Sequence, residues 1–154
     1  MTKAGNSSST KTAQWPRAAA YALTFLATTA LTPPSLASEF PPVIPLSSLN
    51  GTIGFRLDGV APNDVSGYRV ASAGDVNGDG FADVIVGALG ADPHGDRSGS
   101  SYVVFGKASG FAAAINLSSL NGSNGFRMDG ASTFDLSGEA AASAGDVNGD
   151  GFDD

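Results

Sequence analysis

The chain contains no cysteine, which excludes disulfides, thiolate zinc sites and thiol nucleophiles together. Positive charge is scarce: 8 Lys and Arg stand against 15 Asp and Glu among 154 residues, a formal net charge of −7. A surface that grips phosphate backbones needs clustered cations, so the balance argues against nucleic-acid binding. Glutamate is nearly missing, with only Glu39 and Glu139 beside thirteen Asp. That bias moves acidic groups off helix surfaces and into turns and oxygen-rich loops. Glycine, by contrast, is abundant at 21 residues, with 8 Pro. In a helix interior Gly costs about 1 kcal/mol and Pro about 3, so a helical bundle does not suit this composition. A Gly-rich all-β protein does.

The N-terminus stands apart. Met1 to Arg17 is polar, with Lys3, Lys11 and Arg17 as its only charges. Ala18 to Leu31 then runs uncharged into Ser35-Leu36-Ala37. A basic segment, an apolar segment and a small-x-small site with Ser35 and Ala37 at its small positions make a secretory signal, 1–37. The apolar run is shorter than the ~20 residues a membrane span needs. Cleavage after Ala37 leaves 38–154, with five bases against fifteen acids, a net charge of −10. The expected location is secreted, extracellular or periplasmic, with no membrane span after cleavage.

The remainder repeats itself. Leu46-Ser47-Ser48-Leu49-Asn50-Gly51 returns as Leu117-Ser118-Ser119-Leu120-Asn121-Gly122, Gly54-Phe55-Arg56 as Gly125-Phe126-Arg127, and Asp58-Gly59 as Asp129-Gly130. Ala71 to Phe81 reappears letter for letter as Ala142 to Phe152. Every pair is offset by 71 positions, as from 46 to 117. A fixed period means stacked copies of one supersecondary unit, none of which buries its apolar face alone. The copies are 46–116 and a truncated 117–154.

Within a copy, short strands alternate with turn residues. Tyr68 to Ala73 runs into Gly74, Val84-Ile85-Val86 is β-branched throughout and reads as buried on both faces, and Ser101 to Phe105 is closed by Gly106. Gly54 to Asp58 alternates apolar and polar, as a half-exposed outer strand does. Gly90 to Gly99 is a loop by composition. Four short antiparallel strands per copy make the blade of a β-propeller. Propellers close rings of about 4–8 blades, whereas fewer than two are present here. The expectation is an incomplete propeller, a fragment whose partners include the other blades of a longer chain.

The acidic residues gather in one place per copy. Asp75-Val76-Asn77-Gly78-Asp79-Gly80-Phe81-Ala82-Asp83 sets oxygen side chains at positions 1, 3, 5 and 9, and Asp146, Asn148, Asp150 and Asp154 repeat that spacing. Ca²⁺ takes ~6–8 oxygen ligands at ~2.3–2.6 Å. Alternate residues of a curled loop can point inward, and Gly80 permits the curl because it takes φ > 0 without steric cost. The expected ligands are the side chains of Asp75, Asn77, Asp79 and Asp83 with the backbone carbonyl of Phe81, and Asp146, Asn148, Asp150 and Asp154 with that of Phe152. Asp153, at position 8, is expected to point away from the ion. An EF-hand shares the opening but needs Glu at position 12, where Val86 stands, and flanking helices. A phosphate loop needs a third glycine and a following Lys, and would not offer carboxylates. A merely solvated turn accounts for one copy better than for two with the same spacing.

Ser66 to Ala88 resembles an FG-GAP repeat, the unit of the propeller at the N-terminus of integrin α chains and of many bacterial secreted proteins. Phe105-Gly106 is similar to the repeat's Phe-Gly, and Gly87-Ala88 to the start of its Gly-Ala-Pro, with Leu89 in place of Pro. The resemblance covers roughly Leu46 to Asp154. Its calcium motif is matched at Asp75, Asn77, Asp79 and Asp83, and again at Asp146, Asn148, Asp150 and Asp154. Family likeness implies calcium binding and a role in adhesion or in binding an extracellular protein or glycan.

No catalytic constellation accompanies it. His94, the single His, sits in a polar loop and reads as solvated, no Gly-x-Ser-x-Gly elbow occurs, and the carboxylates are committed to the loops. Asp96 and Arg97 could form a surface pair of little energetic weight. The expected function is a calcium-binding extracellular propeller module and not an enzyme. The alternative is an accessory propeller of a secreted hydrolase whose catalytic domain lies outside the chain.

Overall fold

The computed structural model describes residues 41–154; the expected signal segment, 1–37, lies outside them. Six strands follow in order: β1 (Arg56–Asp58), β2 (Arg69–Gly74), β3 (Asp83–Ala88), β4 (Ser100–Val104), β5 (Ala114–Asn116) and β6 (Gly125–Asp129). The only helical pieces among the described residues are single 3₁₀ turns at Leu46–Ser48 and Leu117–Ser119. Both carry the repeated Leu-Ser-Ser, and the second is capped by Asn116, whose side chain accepts the Ser118 N–H.

Four strands form one antiparallel sheet in the order β2-β3-β4-β6. It is a propeller blade. The three inner strands fall where β-branched and small residues were read as strands. The fourth does not come from the same copy. β6 is the second copy's equivalent of Gly54 to Asp58, whereas β1 pairs in parallel with β5 in a separate two-stranded sheet. The reason is the 105–124 connection, which crosses beneath the sheet and returns β6 along the open edge of β4, Tyr102 facing Arg127 and Val103 facing Phe126. Each copy keeps its own ion pair, Arg56 with Asp58 and Arg127 with Asp129.

Pleating sends alternate residues to opposite faces. One face carries Val84, Val86 and Ala88 of β3 opposite Val104, Tyr102 and Ser100 of β4. Leu117 and Ala91 close over it to form the buried core, with Leu57, Phe111, Ile115 and Leu120 packed around the edge. Phe111 also stacks on Phe55 at 4.1 Å between ring centroids, tying the crossing segment to the start of β1. Buried polar groups on this face are paired: Ser100 Oγ donates to Asp129 at 2.8 Å. The opposite face is less well covered. Val103 is buried, but Ile85 is only partly so and Met128 is 44% exposed, so β3 is not sealed on both sides as its composition suggested.

The second copy's Ala140 to Ala144, equivalent to Arg69 to Ala73 of β2, forms no strand. Extended backbone needs a partner for its N–H and C=O groups, and no described strand lies alongside. At the other end of the blade both copies share an unusual turn. Asn63 and Phe134 have φ of 71° and 65°, and Val65 and Leu136 both have 54°. Between them Asp64 accepts the Ala61 N–H and Asp135 the Ser132 N–H, so one carboxylate braces each turn.

Val86 is 2% exposed at the centre of the core, whereas Val43 is 76% exposed. Val86→Ala should lower unfolding stability by about 2 kcal/mol through lost transfer energy and a residual cavity. Val43→Ala should leave it within about 0.5 kcal/mol. Denaturant titration of both variants checks this, and equal effects would contradict the packing described.

Candidate metal centre

The first Asp-rich loop joins β2 to β3. β2 ends in a register shift between Ser72 and Gly74, and Gly74 takes a φ of 79°, so the chain leaves the sheet sharply. Gly78 and Gly80 then adopt φ of 73° and 86°, a backbone conformation in which a Cβ is strained. The curl expected from the glycines is present.

The curl aims backbone donors at the carboxylates. Asp75 Oδ1 accepts the N–H groups of Gly78 and Asp79 at 2.8 and 3.1 Å, and its Oδ2 accepts that of Gly80 at 2.8 Å. Asn77 Oδ1 accepts the Asp79 N–H at 2.9 Å, and Asp79 Oδ1 accepts the Phe81 N–H at 2.9 Å. Asn77 Nδ2 donates to Asp79 Oδ2 at 3.1 Å. Asp75, Asn77 and Asp79 are thus drawn around one turn of chain.

Asp83 sits differently, 1% exposed at the start of β3. Its Oδ2 accepts the Val76 N–H at 3.0 Å and its Oδ1 the Gly106 N–H at 2.7 Å. The side chain therefore joins the loop entrance to the chain just beyond β4. Gly106 is glycine for room, since a Cβ there would meet the Ala82 carbonyl and Phe81.

The second loop repeats this wiring. Asp146 accepts from Gly149, Asp150 and Gly151 at 2.7, 3.0 and 2.9 Å. Asn148 accepts from Asp150, Asp150 from Phe152, and Asp154 from Val147. The Gly151 N–H above all, joined by those of Gly149 and Asp150, holds the Asp146 carboxyl below the usual aspartate range against an opposing desolvation. Asp154 is exposed where Asp83 is buried.

The donors suit a hard cation in kind. All are oxygens, and a carboxylate or amide oxygen has two lone-pair sites, so Asp75 Oδ2, Asn77 Oδ1 and the Asp79 and Asp83 oxygens each keep one beyond the amide they accept. The carboxylates are not gathered into one shell: among the described residues no group of three or more His, Cys, Asp or Glu side chains is placed to hold a metal ion. Residue reasoning also passed over Asp153, whose carboxylate reaches the first loop and accepts the Asp75 N–H at 2.8 Å. Its one sequence signal is that it stands where the first copy has Ala82. His94 is exposed as expected, with Nδ1 2.9 Å from the Gly130 carbonyl. Asp96 and Arg97 form no ion pair among the described residues; the Arg97 N–H goes to Asp92.

Asp83 bears on stability without any metal. Asp83→Ala strands the Val76 and Gly106 amides and should cost about 1–3 kcal/mol for each. Asp79→Ala, in the exposed part of the loop, should cost less than about 1 kcal/mol. Urea unfolding in chelator compares the two, and equal losses would contradict the structural role of Asp83. An NMR titration should place the Asp146 midpoint below 3.8. A folded-state pKa that is lowered adds stability above the ordinary value and loses it as pH falls through the lowered one.

No curated protein and no solved structure matches the chain. Residues 66–104 match the FG-GAP repeat family. The matched stretch holds β2, the first Asp-rich loop, β3 and β4, the inner three strands of the blade. The chain carries an FG-GAP repeat.

Proposed function

We propose that the chain is a calcium-binding propeller module of the extracellular space, serving binding or adhesion and not catalysis. The observation that carries this reading is the paired loop. Two copies of an Asp-x-Asn-x-Asp-Gly-x-x-Asp segment, 71 positions apart, adopt the same curl and share the backbone hydrogen bonds to their first, third and fifth residues. Each copy sets three carboxylates in one nine-residue loop, a negative charge that a bound cation would offset. Calcium would be held by Asp75, Asn77, Asp79 and Asp83 with the Phe81 carbonyl, and by Asp146, Asn148, Asp150 and Asp154 with that of Phe152. It would supply positive charge and no chemistry of its own.

Other features support a binding module. No helix among the described residues is long and apolar enough to cross a membrane. FG-GAP repeats serve in extracellular, non-catalytic domains, in keeping with the expected signal. The blade exposes Val70 at 62% on β2 and Met128 at 44% on β6, its two edge strands, apolar surface that further blades of a longer chain would cover. A cleft of about 520 Å³ opens beside the first loop, lined by Asn77 and Asp79 together with Phe105, Lys107, Phe111 and Asn124. A protein or glycan ligand entering it would meet the filled loop.

Calorimetric titration should show Ca²⁺ binding preferred over Mg²⁺, because a flexible shell of carboxylates suits the larger ion. Asp79→Ala should weaken the first loop about tenfold or more. The first loop, with Asp83 buried and held at both oxygens, should bind about tenfold more tightly than the second, a difference of ~1.4 kcal/mol. Absence of calcium heat, or equal affinity for both ions, would count against the reading.

A further inference from the structure

The two loops touch. Asp153 Oδ2 accepts the Asp75 N–H at 2.8 Å, and the Asp153 N–H donates to the Asp75 carbonyl at 3.1 Å. The contact joins residues 78 positions apart and seizes both backbone groups of the first residue in the first loop. Space has been left for it. A Cβ at Gly74 would run into the Asp153 carboxylate, and one at Gly78 into the Phe152 ring.

The sequence isolates the residue responsible. The nine-residue segments 75–83 and 146–154 are identical except at position 8, where Ala82 corresponds to Asp153. The single difference between the loops is therefore the side chain that bridges them. Position 8 is not one of the expected ligand positions, so the change leaves the second loop's donor set intact and acts on its neighbour. Asp75 is half-buried under this contact, whereas its equivalent Asp146 is exposed.

We propose that Asp153 is a positioning residue: it docks the second Asp-rich loop onto the first, fixes the backbone at Asp75, and so couples cation binding at the two loops. Whatever orders the second loop holds Asp153 in place and pre-sets Asp75 for the first. By linkage, filling the first loop favours the second by the same factor. The docking is a property of the metal-free chain. The coupling rests on the calcium reading above.

The test uses the full chain with Asp153→Ala, which installs the first copy's own residue, and Asp153→Asn, which keeps an acceptor oxygen. Hydrogen exchange in chelator reads the docking. The Asp75 amide should lose protection in Asp153→Ala and keep most of it in Asp153→Asn; unchanged protection in Asp153→Ala overturns the proposal. Calcium calorimetry reads the coupling. Disabling the second loop with Asp150→Ala should weaken the first about three- to tenfold, the effect of one net hydrogen bond, and should have no such effect once Asp153 is Ala. The same weakening in both backgrounds overturns the coupling. If the unaltered chain binds no calcium, the calcium reading falls, and the exchange result alone decides the docking.

Discussion

The Asp83 carboxylate, buried and accepting the Val76 and Gly106 amides, is the contact on which the other parts of the blade depend. One oxygen fixes the beginning of the loop and the other fixes the chain leaving β4. The loop entrance, the start of β3 and the chain beyond β4 are thereby brought to one end of the sheet. A buried carboxylate is costly unless its lone pairs are satisfied, and here two backbone donors satisfy it where no water need enter. The same residue is the ninth position of the loop. Loop closure and sheet assembly thus share one carboxylate.

Much of this was readable from residue order. The 71-residue offset announced a repeat, β-branched and small residues marked β2, β3 and β4, and the Asp-Asn-Asp-Gly spacing marked a curled oxygen-rich loop. Those signals are local. The origin of the outer strand was not readable, because Gly54 to Asp58 and Gly125 to Asp129 have nearly the same sequence and only the path of the 105–124 connection decides which one reaches β4. Nor were the left-handed residues readable. Val65, Phe134 and Leu136 belong to types that avoid positive φ, and it is the bracing by Asp64 and Asp135 that accompanies it.

Asp153 shows a different limit. At position 8 it was expected to face away from its own loop, and it does serve no bond within that loop. What residue spacing cannot tell is where a side chain that faces away will arrive. Here it arrives at Asp75, through a contact made possible by two glycines on the other side. The blade is therefore more than one sheet with two similar appendages. Its loops form a single end, joined through Asp75 and Asp153, with six carboxylates at the candidate ligand positions.

The central claim is that each Asp-rich loop is a calcium site built on an FG-GAP blade. Crystals of the full chain grown with Ca²⁺ and measured at long wavelength would test it most directly through the anomalous scattering of the ion. The account predicts a peak within the first loop, bounded by oxygens of Asp75, Asn77, Asp79, Phe81 and Asp83 at about 2.3–2.6 Å, and a weaker peak in the second. Loops that keep their carboxylates on backbone amides, with no anomalous peak at saturating calcium, would contradict it.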